Sequence, residues 1–257
     1  MRTFKTILVM CLSLLAFAPG RADTGQPLAP ISERIQLHTQ TISTTRFPAT
    51  VPGKRPAAIL LHGYQCLEAC SEAYARYARS LAAAGIDAYV VNYYNESDLA
   101  ALKAGTLDAA GYAGRFKRWA VAVRELMARI GAQNQSNGRI AVVGFSQGGR
   151  LAVAVAADNP AATALVALYA RLPDPVELDA DLKALPPTLL LHGDADTVVP
   201  LRGGEAILAK ARELGTPSDL VIYPGEGHGF DFSADSAAAI DARRRVIEFL
   251  RSVMAVR

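Results

Sequence analysis

Residues 141–149 read Ala141-Val142-Val143-Gly144-Phe145-Ser146-Gln147-Gly148-Gly149. A run of small and apolar residues ends at a serine that has a glycine two places to either side. A continuous apolar run without polar alternation is the pattern of a strand buried on both faces. Glycines spaced around a serine mark a backbone that turns sharply and approaches another segment where a β-carbon would obstruct it. Gly144-x-Ser146-x-Gly148 after a strand and before a helix therefore predicts a nucleophile elbow, a strained turn that projects the serine hydroxyl from the sheet edge. The plainer alternative is a tight strand-to-helix turn with a capping serine and glycines present only for packing.

The same kind of run recurs along the chain. Residues 57–62, 88–94, 139–146, 163–169, 188–193 and 220–225 are short, apolar and rich in β-formers. Between most of them lie helical patterns, at 69–84, 112–130, 147–158, 203–214 and 236–254. In 112–130, Phe116, Trp119, Val123, Met127 and Ile130 share one face and predict a core-facing stripe. Strand–helix alternation predicts an α/β fold, a doubly wound and mostly parallel sheet with helices on both faces. Residues 33–47 precede the pattern and read as one or two partly polar edge strands. Residues 95–111 and the proline-broken 170–186 read as the two long connections, the second with room for a helical turn; neither is large enough for a second domain.

In open parallel sheets, ligands bind beyond the carboxyl ends of the strands, and the unusual polar residues of this chain gather there. Ser146 ends the third run, Asp194 and Asp196 follow the fifth, and His228 follows the sixth, while His62-Gly63-Tyr64 ends the first. A serine hydroxyl needs a base to take its proton, and imidazole titrates in the right range. Of the four histidines, His38 sits in the polar edge region. His62 and His192 each end a strand before a glycine, as loop braces do. His228 alone fits the order serine, acid, histidine. The base in turn needs a carboxylate to fix its tautomer. Asp196 is expected in that role because Val198-Val199-Pro200 would pin its loop; Asp194 is expected to cap the turn. Two backbone donors should face the developing oxyanion: the N–H of Gln147, next after the nucleophile, and the N–H of Tyr64.

The N-terminus is of another kind. Arg2 and Lys5 precede a twelve-residue apolar run, 7–18, followed by Pro19-Gly20-Arg21-Ala22. That is the layout of a secretory signal peptide over residues 1–22, cut after Ala22, and leaves one domain over 23–257. The run is shorter than the roughly 20 residues a membrane span requires. Cys11 lies inside it, behind the large Met10, which disfavours a lipoprotein site. The leader carries three of the 27 basic residues and no acid, so the mature chain has 24 basic residues against 24 acidic ones. A neutral chain offers no electrostatic case for nucleic acid or an anionic membrane as partner. Arg243-Arg244-Arg245 reads as a solvated helix face, with Ile240, Ile247, Leu250 and Met254 as the apolar positions. Without Cys11 the cysteines are Cys66 and Cys70, an even number that predicts a disulfide in an exported protein. So short a loop gains only about 2 kcal/mol from closure, so local rigidity of the Tyr64 loop is its expected purpose. His62, Cys66 and Cys70 as metal ligands would match none of the usual zinc spacings.

From about residue 55 to the C-terminus the chain resembles the dienelactone hydrolase family of the α/β-hydrolase superfamily. The resemblance rests on Leu60-Leu61-His62-Gly63-Tyr64, Gly144–Gly149, the segment 192–200 (HGDADTVVP) and the segment 225–230 (GEGHGF). It implies an α/β-hydrolase fold without a lid domain, with Ser146 as nucleophile, Asp196 as acid and His228 as base. The members that name the family use a cysteine where this chain has Ser146, so the serine-bearing, esterase-like members are the nearer match. The expected activity is hydrolysis of small or short-acyl carboxylic esters through an acyl-enzyme, with no metal or organic cofactor and a small-molecule ester as the partner. The same machinery cleaves peptides and thioesters and transfers acyl groups, and a binding module that has lost the chemistry is the alternative of another class.

Overall fold

The structure is a computed structural model and describes residues 28–64 and 67–255. The expected leader and Cys66 lie outside the described residues. In chain order the strands are β1 (Ile31–Gln36), β2 (Thr41–Phe47), β3 (Arg55–Leu61), β4 (Asp87–Asn92), β5 (Ser136–Phe145), β6 (Ala162–Leu168), β7 (Thr188–Gly193) and β8 (Ser218–Tyr223). The helices are α1 (Ser71–Ala83), α2 (Glu96–Ala104), α3 (Ala109–Gly131), α4 (Gln147–Ala156), α5 (Arg202–Glu213) and α6 (Ala237–Val253). The strands form a single sheet in the order β1-β2-β4-β3-β5-β6-β7-β8. β1 runs antiparallel to β2 and β2 to β4, and every other pairing is parallel.

Successive residues of a strand point to opposite faces, and β3 shows how the two cores divide. Ile59 and Leu61 join Phe116, Trp119, Val153 and Ile207, so α3, α4 and α5 cover one face. Ala58 and Leu60 join Tyr74, Leu81, Val246 and Leu250, so α1 and α6 cover the other. The expected doubly wound, mostly parallel sheet is the one observed. The polar segment before it forms two antiparallel strands at one edge, with β1 outermost and largely exposed. Between β6 and β7 the chain makes a single 3-10 turn, Pro175–Glu177, and inserts no lid. Among the described residues no helix is long and apolar enough to cross a membrane.

Three expectations are corrected. The connection 95–111 contains a helix, α2. It carries almost no apolar stripe, since only Asp98 and Leu102 are buried in it. It is held by polar chemistry instead: Asn95 and Asp98 form a reciprocal capping box, and Gly105 closes the far end at φ 64°. The wholly buried Asp98 carboxylate also accepts Trp119 Nε1–H (2.8 Å), Arg115 (2.5 Å) and Arg118. Burial alone would raise its pKa; hydrogen bonds from Asn95, Trp119 and the two arginines outweigh burial and hold it below the usual range. Second, β8 is not buried on both faces: it is the last strand of the sheet and only Tyr223 in it is buried. Third, Ile240 is exposed while the neighbouring Ala239 and Ala242 face the core. Of the triple arginine of α6 only Arg244 is exposed as expected; Arg245 is half-buried and shares Asp241 with it, and the half-buried Arg243 donates to the carbonyls of Ser233 and Ala234.

Candidate active site

Ser146 stands between β5 and α4 at φ 54° and ψ −115°, a conformation that L-residues adopt only under constraint. The glycines supply the constraint. A β-carbon on Gly144 would lie 2.1 Å from the Gly148 carbonyl oxygen, and one on Gly148 would lie 2.1 Å from that of Leu61. Strand β5, helix α4 and strand β3 thus meet backbone to backbone. The Ser146 N–H donates to the Leu168 carbonyl (2.9 Å), and its own carbonyl accepts the first helical bond from Arg150 (3.0 Å). The serine is fixed through its main chain, and its side chain is free to point outward.

His228 lies on the loop after β8. Its Nε2 is 2.9 Å from Ser146 Oγ and its Nδ1 is 2.8 Å from Asp196 Oδ2. A carboxylate only accepts, so Nδ1 carries the proton and Nε2 is left bare to accept from the serine hydroxyl. The Asp196 side chain is fully buried. Its other oxygen accepts the amides of Val198 (2.8 Å) and Val199 (2.9 Å). Asp194 does something different: it accepts the Gly225 N–H at 2.6 Å and ties the two loops together. The Ala195 N–H donates to the Glu226 carbonyl (3.0 Å), and Gly193 is required where that carbonyl would sit 2.2 Å from a β-carbon. The loop carrying the acid and the loop carrying the imidazole are therefore stitched at three points.

The remaining histidines are spoken for. His192 Nε2–H donates to the Val199 carbonyl (2.8 Å), behind Asp196. His62 Nδ1–H donates to the Gly63 carbonyl (2.8 Å), and its ring stacks on Tyr93 at 4.2 Å and 8°. Burial pushes the His62 pKa down to about 4, so the ring is neutral near pH 7. His38 is exposed and pairs with Glu125.

The Gly63 backbone passes close to the nucleophile: a β-carbon on Gly63 would be 3.5 Å from Ser146 Cβ. The next residue, Tyr64, is about half exposed (49%). The N–H of Gln147 belongs to the first turn of α4, where backbone donors lack intrahelical partners. Gln147 follows Ser146 directly, and the backbone just before Tyr64 approaches Ser146. The site is partly open to solvent, with the His228 side chain 23% exposed, and the connection between β6 and β7 forms only one 3-10 turn.

The segment 92–98, at the end of the second apolar run, is placed by the sequence at the border of the pocket, though its contacts are not readable there. Within it Tyr93 and Tyr94 both accept the side-chain amide of Gln147. On the other side, Tyr169, at φ 39°, lays its ring edge against His228 at 4.7 Å. Behind it Asp231 is fully buried and accepts the Tyr77 hydroxyl at 2.8 Å. Burial lifts the Asp231 carboxyl to about 6, against the Tyr77 hydrogen bond that favours its charged form. Only the phenylalanines of the 230–232 turn mark that segment as buried in the sequence.

The arrangement joins a serine hydroxyl, an imidazole and a buried carboxylate by hydrogen bonds. Proteins similar to this chain place it further. The model of the dienelactone hydrolase family matches residues 45–254. A putative carboxymethylenebutenolidase of Methylorubrum extorquens is 38% identical over 109 residues, covering 39% of this chain and 37% of that protein. The chain thus aligns with less than half the length of this curated relative. Among solved structures, a dienelactone hydrolase-like promiscuous phosphotriesterase from metagenomic libraries superposes with a TM-score of 0.70 at 16% identity, over 88% of this chain and 99% of that one. An esterase of Pyrobaculum calidifontis gives 0.68 at 19% identity, over 91% and 88%. At such identities the superpositions establish the shared α/β-hydrolase fold, and the family match adds descent: the chain belongs to the dienelactone hydrolase family.

Proposed function

We propose that the protein is an exported serine hydrolase of carboxylic esters, acting on short acyl groups or small esters through Ser146, His228 and Asp196. The observation that carries this is the unbroken run from Asp196 Oδ2 to His228 Nδ1 (2.8 Å) and from His228 Nε2 to Ser146 Oγ (2.9 Å). Membership of the dienelactone hydrolase family supports hydrolysis, as do solved neighbours described as an esterase and a phosphotriesterase.

Ser146 Oγ attacks the carbonyl carbon while its proton passes to His228 Nε2. Asp196 holds the ring in the correct tautomer and stabilises the imidazolium. The N–H groups of Gln147 and Tyr64 receive the negative oxygen of the tetrahedral intermediate. Collapse returns the proton from Nε2 to the departing alkoxide and leaves an acyl-serine. Water, deprotonated by His228, then releases the acid by the same steps in reverse. No metal or organic cofactor takes part.

Export is supported by the basic start and short apolar run of the leader. We pair Cys66 with Cys70, consistent with the disulfide-bonded state of Cys70 and with an oxidising compartment. The absence of an insertion between β6 and β7 supports small substrates, with turnover that does not rise steadily toward C16 acyl chains.

Intact mass after treatment with a fluorophosphonate tests the nucleophile. The expected result is one adduct on the wild type and none on Ser146→Ala. Well-folded wild type without an adduct would mean the site is inert, and a binding role would replace the enzymatic one.

A further inference from the structure

The residue after the nucleophile has its side chain turned away from the cleft and clasped. Gln147 is buried, and its Nε2 donates to Tyr93 Oη at 3.1 Å and to Tyr94 Oη at 2.5 Å. The Tyr93 hydroxyl spends its own proton on the His62 carbonyl at 2.8 Å. One phenol therefore touches both segments that supply the oxyanion donors. On one side it is bonded to Gln147. On the other it is bonded to the carbonyl of His62, two residues before Tyr64. The Tyr93 ring is fully buried and cannot drift, because it lies flat on His62 and against Tyr94 (4.7 Å) and Trp119 (5.5 Å).

Oxyanion stabilisation depends on donors that are already aimed before charge develops. A loop such as 62–64 has no helix or strand of its own to aim it. We infer that Tyr93 is a positioning residue, which sets the spacing between the Gln147 and Tyr64 amides by bridging the Gln147 side chain to the His62 carbonyl. It touches neither substrate nor Ser146, and this inference rests on the hydrolase function proposed above. The role belongs to the Tyr93 hydroxyl and not to the volume of its ring. Removing that hydroxyl leaves Gln147 held only by Tyr94 and frees the His62 carbonyl, so the two amides lose their common reference. A donor displaced by a fraction of an ångström costs less than a donor deleted, whose loss is typically 10²–10³-fold; the expected loss is roughly 10- to 100-fold.

Tyr93→Phe tests this with p-nitrophenyl butyrate as substrate. The concentration of competent sites is first fixed by end-point fluorophosphonate labelling of Ser146, so that unfolded protein is not counted. Per labelled site, kcat is expected to fall roughly 10- to 100-fold with KM within about threefold. The pH at which activity rises should stay where the wild type has it, since His228 is untouched. Tyr89→Phe removes a phenol from β4, the strand just before Tyr93, one bonded to Gln133 and to neither Gln147 nor His62, and should leave kcat unchanged. Gln147→Leu cuts the tether at its other end. Its loss should match that of Tyr93→Phe, and the double variant should be no worse than the poorer single one. A Tyr93→Phe enzyme within threefold of wild-type kcat per labelled site overturns the inference, as does a double variant whose loss is the product of the two single losses. If Tyr93→Phe does not fold, Gln147→Leu alone decides, and near-wild-type kcat from it overturns the inference. Wild type that is not labelled at all would remove the hydrolase function and this inference with it, a result that neither variant produces.

Discussion

The Leu61 carbonyl oxygen occupies the space that a side chain on Gly148 would need; a β-carbon there would lie 2.1 Å away. Leu61 ends β3 and Gly148 opens α4, so this approach presses the nucleophile helix against the central strands. Gly148→Ala is therefore expected to lower stability by at least about 3 kcal/mol, since backbone rather than a flexible side chain must yield. Gly138 offers the contrast. Its φ is +81° but nothing lies within 4 Å of a β-carbon there, so Gly138→Ala should cost only about 1–2 kcal/mol of backbone strain. Urea unfolding of the two variants side by side checks the ranking, and equal costs would show that close approach is not what demands glycine at 148.

The two aspartates after β7 should separate sharply in activity. Asp196→Asn keeps an oxygen but takes away the charge and presents the wrong tautomer to His228, so kcat is expected to drop on the order of 10³- to 10⁴-fold. Asp194→Asn keeps an acceptor for the Gly225 N–H and should stay within about fivefold of wild type. Steady-state kinetics on a short-chain ester decides between them, and the reverse order would reassign the acid.

Most of the scaffold was legible because its signals are local. The apolar runs became strands within a few residues of their expected limits, and the glycine spacing around Ser146 marked the elbow before any contact was known. What escaped has a common cause: its energetics are polar or long-range. Helix α2 lacks an apolar stripe, and the readable trace of it was the Asn95-x-x-Asp98 box, which looks like an ordinary polar loop. β8 includes an apolar run, Leu220-Val221-Ile222, like that of a central strand, yet its place at the sheet edge depends on strand order and not on its own sequence. Tyr93 and Tyr94 look like the tail of a hydrophobic run; their hydroxyls acquire meaning only once β4 lies beside the loop of His62 and the side chain of Gln147. Asp231 sits 154 residues from Tyr77, and no pattern connects them.

Two buried titrating groups should pull stability in opposite directions over the same pH range. Asp231 is neutral more readily when folded, with its carboxyl lifted from 3.8 to about 6. Its contribution is fully present below 3.8 and is lost as pH rises to about 6, an effect of about 3 kcal/mol. His62 is also neutral more readily when folded, which for a base means a fall from 6.5 to about 4. Its contribution is present above 6.5 and is lost as pH falls to about 4, again by about 3 kcal/mol. These two slopes cancel in the wild type. Asp231→Asn should therefore gain stability as pH rises from 4 to 6.5, and His62→Asn should lose it from 4 to 6. Denaturation midpoints at half-unit pH steps would reveal this, and a variant that tracks the wild-type profile would clear its residue of the role.

Asp98 should matter both as a charge and as a hydrogen-bond acceptor. It is fully buried, yet Arg115 and Arg118 are only partly so, with 21% and 29% of their side chains exposed. Asp98→Ala removes the acceptor of Trp119 Nε1–H and the helix cap together, and a loss of about 2–4 kcal/mol is expected. Asp98→Asn should lose less, about 1–2 kcal/mol, because one oxygen can still accept from the indole. Equal losses for the two would mean that the charge, which both variants remove, sets the whole cost.

That indole has a further use. Trp119 is the sole tryptophan of the chain, and its ring lies 5.5 Å from Tyr93 and 4.9 Å from Tyr94. Excitation at 295 nm therefore illuminates one place in the molecule, the aromatic wall behind the Gln147 side chain. An unmodified protein thus carries its own optical gauge: emission from that ring would follow the wall loosening or tightening in real time as an acyl group arrives and leaves, without any label attached.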